Sequence, residues 1–271
     1  PKYQNWVTLW YACLISENPE DILRNCRLLE ESGIESRLLW LDLGVTYNEA
    51  LFQFDKAIEA FRKVEEISRQ RESLWTYDRF YNDYCDALLL AEKPYEAIRI
   101  SDLGLRINPD NRICLLYKGS CYVMLGDTAS VSRIISEIRS VHKRLHLSQA
   151  SEEWALGYMY IHGKDTVGAE KHLRNAFLLD PENPVRIRDL ARLLVRSGIN
   201  IEEGFELASK GLSRFPDNIS LMWVKGVALN KLGRHHEALE ILEDVDSKYS
   251  GYLRLLRNDI NEAKKAIDIG I

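Results

Sequence analysis

Methionine, cysteine and proline are scarce in this chain of 271 residues, at three, five and seven copies. Each scarcity excludes something. The cysteines (Cys13, Cys26, Cys85, Cys114 and Cys121) are too few and too irregular for a disulfide framework, and none forms a C-x-x-C pair. An odd count leans toward a reducing compartment, so a cytoplasmic setting is favoured. The chain starts at Pro1 without a charged, then apolar, leader. A leader can be removed by processing, so a periplasmic or other extracytoplasmic setting stays open. No apolar run reaches the roughly 18–20 residues of a membrane span. Positive charge is not in excess either. The net charge is −5, whereas nucleic-acid binders draw their affinity from neutralising phosphates. A nucleic-acid partner is therefore not expected.

Reaction motifs are absent too. The chain has no G-x-S-x-G, no H-E-x-x-H and no G-x-x-x-x-G-K-[ST] phosphate loop. His142 and His146 stand four apart, as two ligands on one helix face would, but no Cys, Glu or Asp partner follows in sequence. No metal, cofactor or catalytic residue is expected. Asn218-Ile219-Ser220 is a glycosylation sequon, meaningful only in a eukaryotic secretory route.

What the chain has is a repeat. Trp40, Leu43, Gly44, Tyr47, Ala57 and Phe61 set a pattern whose variants recur at a spacing near 34 residues. A period of that size indicates stacked helical units and not one closed core. Pro109, Pro181 and Pro216 each end a helix, because proline cannot continue one. Twelve residues before each stands Ala97, Ala169 or Gly204, and five before stands Gly104, Ala176 or Gly211. Seven residues is two helical turns, so these small residues share a face and let a second helix approach. The preceding helices carry Gly44, Gly119, Gly157 and Gly226, with Cys85 and Ala191 at the equivalent places. Glycine inside a helix costs about 1 kcal/mol against alanine, which makes sense where a side chain would collide. Gly126, Gly198 and Gly233 punctuate the turns between paired helices.

These residues resemble the tetratricopeptide repeat. Residues 40–61 match its W-x2-L-G-x2-Y and A-x3-F pattern, with one extra residue between the helices and Arg69 in place of the closing proline. Residues 150–183 follow it through Leu156, Gly157, Tyr160, Ala169, Ala176 and Pro181, and residues 219–250 through Gly226, Leu229, Gly233 and Ala238, closing on Ser250. The 112–147 repeat fits in its first half and carries Val131 and Ile138 where small residues belong. The 184–218 repeat holds one extra residue near Gly198–Glu202. Segments 70–77 and 139–149 stretch the period and read as lengthened second helices plus loop.

The expected architecture is all-α: a right-handed α-solenoid of about six helix pairs (near 37–72, 78–111, 112–147, 150–183, 184–218 and 219–250). Residues 1–36 form a degenerate N-terminal pair, with helices near 3–15 and 19–32. Asn18-Pro19-Glu20-Asp21 is a good start for the second of these. Residues 251–271 form C-terminal capping helices, amphipathic over 252–256 and 261–269, with Leu253, Leu256, Ile260, Ala263 and Ile267 on the covering face. Part of this tail is a candidate to fold into the groove as a bound helix would.

The resemblance implies partner binding on the concave face, lined by the first helix of each pair. The repeat register places Asn82, Asp83 and Asp86 there as an acidic patch. Tyr117, Ser120 and Met124, then Trp154, Tyr158 and His162, form an aromatic belt. Arg188, Arg192 and Arg196, four apart, make one stripe, followed by Trp223, Val227, Asn230 and Lys231. Aromatics and arginines are common binding anchors, and arginine forks suit carboxylates or phosphates. The expected function is a non-catalytic protein–protein scaffold or adaptor. Its partner would be a peptide or protein segment with an acidic portion at the arginines and an apolar anchor near Trp154 and Tyr158. A blander alternative pairs the arginines with Asp189 or Glu153. Rival functions are a regulatory or sensor domain of a longer chain, an enzyme with a groove-bound substrate around His162, and RNA binding.

Overall fold

The computed structural model describes residues 18–71, 75–248 and 254–270. The expected helix near 3–15, together with Cys13, Ser250 and Leu253, lies outside the described residues. Fourteen α-helices and one π-helical turn, with no strand, make up the described regular structure.

Twelve helices, taken two by two, follow the period. They are α2 (Arg37–Val45) with α3 (Phe54–Gln70), α4 (Asp78–Leu90) with α5 (Pro94–Ile107), and α6 (Arg112–Met124) with α7 (Thr128–Arg144). Then come α8 (Gln149–His162) with α9 (Thr166–Leu179), α10 (Pro184–Ser197) with α11 (Ile201–Arg214), and α12 (Ile219–Lys231) with α13 (His235–Lys248). Helix α1 (Pro19–Glu30) precedes them and α14 (Arg254–Ile269) follows. The tail is thus one continuous helix from residue 254, not two short amphipathic ones. The caps are those that the turn residues offer: Asn18, Asn111, Asn183 and Asn218 each accept a backbone N–H from the first turn of the helix that follows. The sequon asparagine is therefore engaged as a helix cap.

The mid-helix glycines sit where two helices touch. A Cβ on Gly44 would lie 2.4 Å from the Phe61 ring, and one on Gly157 2.7 Å from Leu173. The missing side chain lets α3 bring Phe61 fully under α2, where it meets Tyr84 at 5.2 Å between ring centroids. The period also shows in side-chain pairs 34 residues apart: Arg62 with Glu96, Glu65 with Arg99, and Tyr158 with Arg192.

Contacts divide the chain into two compact units, one ending at Ile134 and one beginning at Ile135. The division falls within α7, whose Val131 and Ile138 stand where other second helices carry small residues. In the first unit, Leu39, Tyr47, Phe61, Tyr84 and Leu88 form a continuous buried cluster. In the second, Leu173, Leu190 and Leu194 are packed against Trp154, Tyr158 and Tyr160.

Candidate functional site

In the second unit the candidate side chains of α8, α10 and α12 meet one another. Trp154 and Tyr158 of α8 lie with ring centroids 4.6 Å apart, and His162 continues the row 6.1 Å beyond Tyr158. Arginines cover these rings. Arg186 lies 5.0 Å over Trp154, Arg192 5.8 Å over Tyr158, and Arg196 5.8 Å over Trp223 of α12. Arg186 was not among the expected groove residues. Burial lowers the pKa of its guanidinium.

Carboxylates fix the stripe. Asp189 is fully buried; it accepts from Arg188 Nε at 2.7 Å and from Trp154 Nε1 at 2.8 Å. The bond to Asp189 raises the pKa of Arg188. The pairing with Asp189 therefore holds for Arg188. Glu153 takes no arginine: its Oε2 accepts from Asn175 Nδ2 at 3.0 Å and meets His172 Nδ1 at 2.9 Å. Arg196 donates to Asp259 of α14 through both terminal nitrogens, at 2.9 and 2.6 Å, and Trp223 Nε1 donates to the same carboxylate at 2.7 Å.

The result is a cavity of about 320 Å³ between α10, α12 and α14, lined by the three arginines of the stripe, Trp223, Val227 and Leu255 among others. Val227 is 5% exposed and forms part of this wall. Asn230 pairs with His235 Nδ1 at 2.7 Å, and Lys231 is exposed at the end of α12. His162 does not line the cavity.

In the first unit the acidic patch is largely engaged. Asp83 accepts from Arg79 Nε at 3.1 Å, and Asp86 accepts from Asn48 Nδ2 at 2.9 Å and the Tyr117 hydroxyl at 3.2 Å. Asn82 Oδ1 accepts from the Cys114 thiol at 3.3 Å. Burial pushes the carboxyls of Asp83 and Asp42 up to about 6, with Glu49 adding to the rise at Asp83. Met124 is half-buried against the core. Ser120 corrects an expectation: it is fully buried, with its hydroxyl bonded to the Leu116 carbonyl at 3.0 Å, so it offers nothing to a partner. The two histidines of the i, i+4 pair separate in the same way. His142 is buried with Nδ1 2.9 Å from the Ile138 carbonyl, and His146 is exposed. Among the described residues no group of three or more His, Cys, Asp or Glu is placed to hold a metal.

The family model for the tetratricopeptide repeat matches residues 39–71, the stretch that carries Trp40 to Phe61. Residues 39–71 are thus a tetratricopeptide repeat. A solved tetratricopeptide-repeat protein of Parabacteroides merdae aligns over 96% of this chain and 99% of its own, at 11% identity and a TM-score of 0.53, a likeness of fold. Two others align too loosely to carry an argument. A thermophilic tetratricopeptide-repeat protein of Thermus thermophilus has a TM-score of 0.48 at 19% identity, over 72% of this chain and 99% of its own. YrrB, described as having an unusual peptide-binding site, has 0.39 at 16% identity, over 78% and 99%. No curated protein matches the chain. Tetratricopeptide repeats serve in general as protein-interaction scaffolds, and the family is typically non-catalytic. No described helix is long and apolar enough to cross a membrane.

Sequence reasoning missed Leu255, which lines the cavity, and Asp259, which holds Arg196 and Trp223. A signal for Asp259 was present. Trp154 reaches Asp189 35 positions on, and Trp223 reaches Asp259 36 positions on. The same Trp–Asp link recurs one repeat later, so α14 stands in the register of a further first helix.

Proposed function

We propose that this chain is a non-catalytic scaffold that binds a peptide or protein segment on the first-helix face of its second unit. An acidic portion of the segment lies at Arg188, Arg192 and Arg196, and an apolar anchor at Trp154 and Tyr158. The observation that carries this reading is the row of arginines stacked on Trp154, Tyr158 and Trp223, of which Arg192, Arg196 and Trp223 also line a cavity of about 320 Å³. Arginine and aromatic side chains dominate interface hot spots, and a preformed row meets little ordering cost. The acidic patch of Asn82, Asp83 and Asp86, with Tyr117 beside it, is proposed as a separate contact for the same class of partner. The proposed limits of the array are residues 37–250, with caps on either side.

The test is a cross-linking pull-down from the native source, followed by affinity measurement on the captured segment. Arg192→Glu is the informative variant, because Arg192 is 44% exposed and the closer arginine partner of Asp189 is Arg188, at 2.7 Å against 3.5 Å. Binding is expected to weaken on the order of tenfold or more with helicity unchanged. Unaltered affinity would remove the arginine stripe from the site.

A further inference from the structure

Three arginines line the cavity between α10, α12 and α14, two buried aspartates lie behind them, and the pairings are unequal. Arg188 donates to Asp189 at 2.7 Å, and Arg196 grips Asp259 at 2.9 and 2.6 Å. Both aspartates also receive an indole N–H, from Trp154 and Trp223. Each carboxylate is thus committed, and both are buried, at 0% and 5% exposure. Arg192 lies between them on the same stripe. Its terminal nitrogen donates to the Tyr158 hydroxyl at 2.6 Å, and among the described residues its carboxylate neighbour is Asp189, at 3.5 Å. Two of the three positive charges are therefore matched in place. Among the arginines that line the cavity the surplus is a single charge, centred on Arg192.

Besides Trp223 and Ser220, the rest of the lining is aliphatic. Val195 comes from α10, Val224 and Val227 from α12, and Leu255 from α14. A volume of about 320 Å³ sits at the small end of ligand pockets, about 300–1,000 Å³. It suits one side chain and its flanks, not a helix.

We propose that this cavity receives one carboxylate, the Asp or Glu side chain of a partner segment with aliphatic neighbours, and that Arg192 is the group that takes it. The proposal rests on the partner-segment reading above and narrows it from an acidic stretch to a single acid. A second negative charge would fall beside Asp189 and Asp259, which cannot swing away because arginine and indole hold them. An arginine fork gains most from a carboxylate it can meet in its own plane, and the aliphatic lining can take the methylenes that carry the acid.

The experiment uses the full chain and small anions as probes, so it needs no partner. Arginine Nε–H and valine methyl NMR signals are followed during titration with pentanoate, acetate, glutarate, inorganic phosphate and pentylamine. Pentanoate should shift Arg192 Nε–H together with the methyls of Val224 and Val227. It should bind on the order of tenfold more tightly than acetate, because its extra methylenes enter the apolar wall. Glutarate and phosphate should bind no more tightly than acetate, and pentylamine should give no shift at these groups. Arg192→Gln should weaken pentanoate on the order of tenfold, with unchanged far-UV circular dichroism, the usual scale for losing a charge-assisted pair. Arg192→Lys should recover part of the affinity, since it keeps the charge and loses the fork. Tighter binding of glutarate or phosphate, an unchanged titration in Arg192→Gln, or no shift at Arg192 would overturn the proposal. The two readings fail separately. Pentanoate binding without any Arg192-dependent partner leaves the cavity and removes the scaffold reading. An Arg192-dependent partner without pentanoate binding does the reverse.

Discussion

Asp83 is a carboxylate in an unfavourable place. Its side chain is 19% exposed, Glu49 and Asp86 add negative charge around it, and Arg79, itself 54% exposed, gives partial relief. Burial is the larger effect and pushes its carboxyl up to about 6, from 3.8. A pKa raised on folding means that the folded state holds the proton more tightly than the unfolded one. The stabilisation is complete below the unfolded value and is lost as pH rises through about 6. Replacing Asp83 with Asn removes this dependence. The variant should gain stability relative to the parent between pH 4 and 7.5, on the order of 1–3 kcal/mol. Urea unfolding at the two pH values measures the difference, and Asp42, also raised to about 6 by burial, stays in both proteins as a shared background. A gain on acidification instead would mean that Arg79 outweighs burial at this site. The acidic patch itself was legible from the repeat register, because register assigns faces. Which charges are matched was not legible. The pairing of Arg196 depends on Asp259, 63 positions away, whose place in the repeat register shows only once the Trp154–Asp189 link is known.

At the scale of elements, the turn between paired helices repeats a backbone conformation more faithfully than it repeats a residue. Seven positions after the mid-helix small residue stand Glu92, Gly126, Lys164, Gly198 and Gly233, all with positive φ, from 57° to 79°. In the first pair the position is Phe52, eight after Gly44, at φ 53°. Sequence reading identified the glycines as punctuation and passed over the others, because the conformation is invisible where the residue is not glycine. The two extra residues are absorbed differently. After Gly44 the insertion precedes the left-handed residue and is taken up as the π-helical turn Thr46–Ala50. After Ala191 it follows Gly198 and lengthens the loop ahead of the cap Asn200. A left-handed conformation costs a non-glycine residue about 1–2 kcal/mol, part of which glycine returns through its looser unfolded chain. Lys164→Gly should therefore stabilise the second unit by about 0.5–1 kcal/mol, read as a shift of the urea midpoint at constant slope. A loss of stability would show that a contact of Lys164 outweighs its backbone strain.

Each unit is held together by neighbours. The substantial packing contacts join helices one or two apart in the chain, as α8 with α9, α9 with α10 and α10 with α12. In such an array stability is close to a sum of repeat and nearest-neighbour terms, so damage stays local before it becomes global. Gly157 offers a clean injury. A Cβ there would stand 2.7 Å from the Leu173 side chain and 3.3 Å from the Leu173 backbone nitrogen, and the backbone cannot yield as a side-chain end can. Gly157→Leu should cost about 1–3 kcal/mol by overpacking α8 against α9. Native-state hydrogen exchange should then quicken in α8 and α9 first and in α10 next, through its contact with α9. Amides of α2–α5, in the first unit, should keep their protection. Equal loss of protection in both units would show that the chain unfolds as one cooperative body. Undisturbed exchange in α8 and α9 would mean that the close approach at Gly157 does not support the pair.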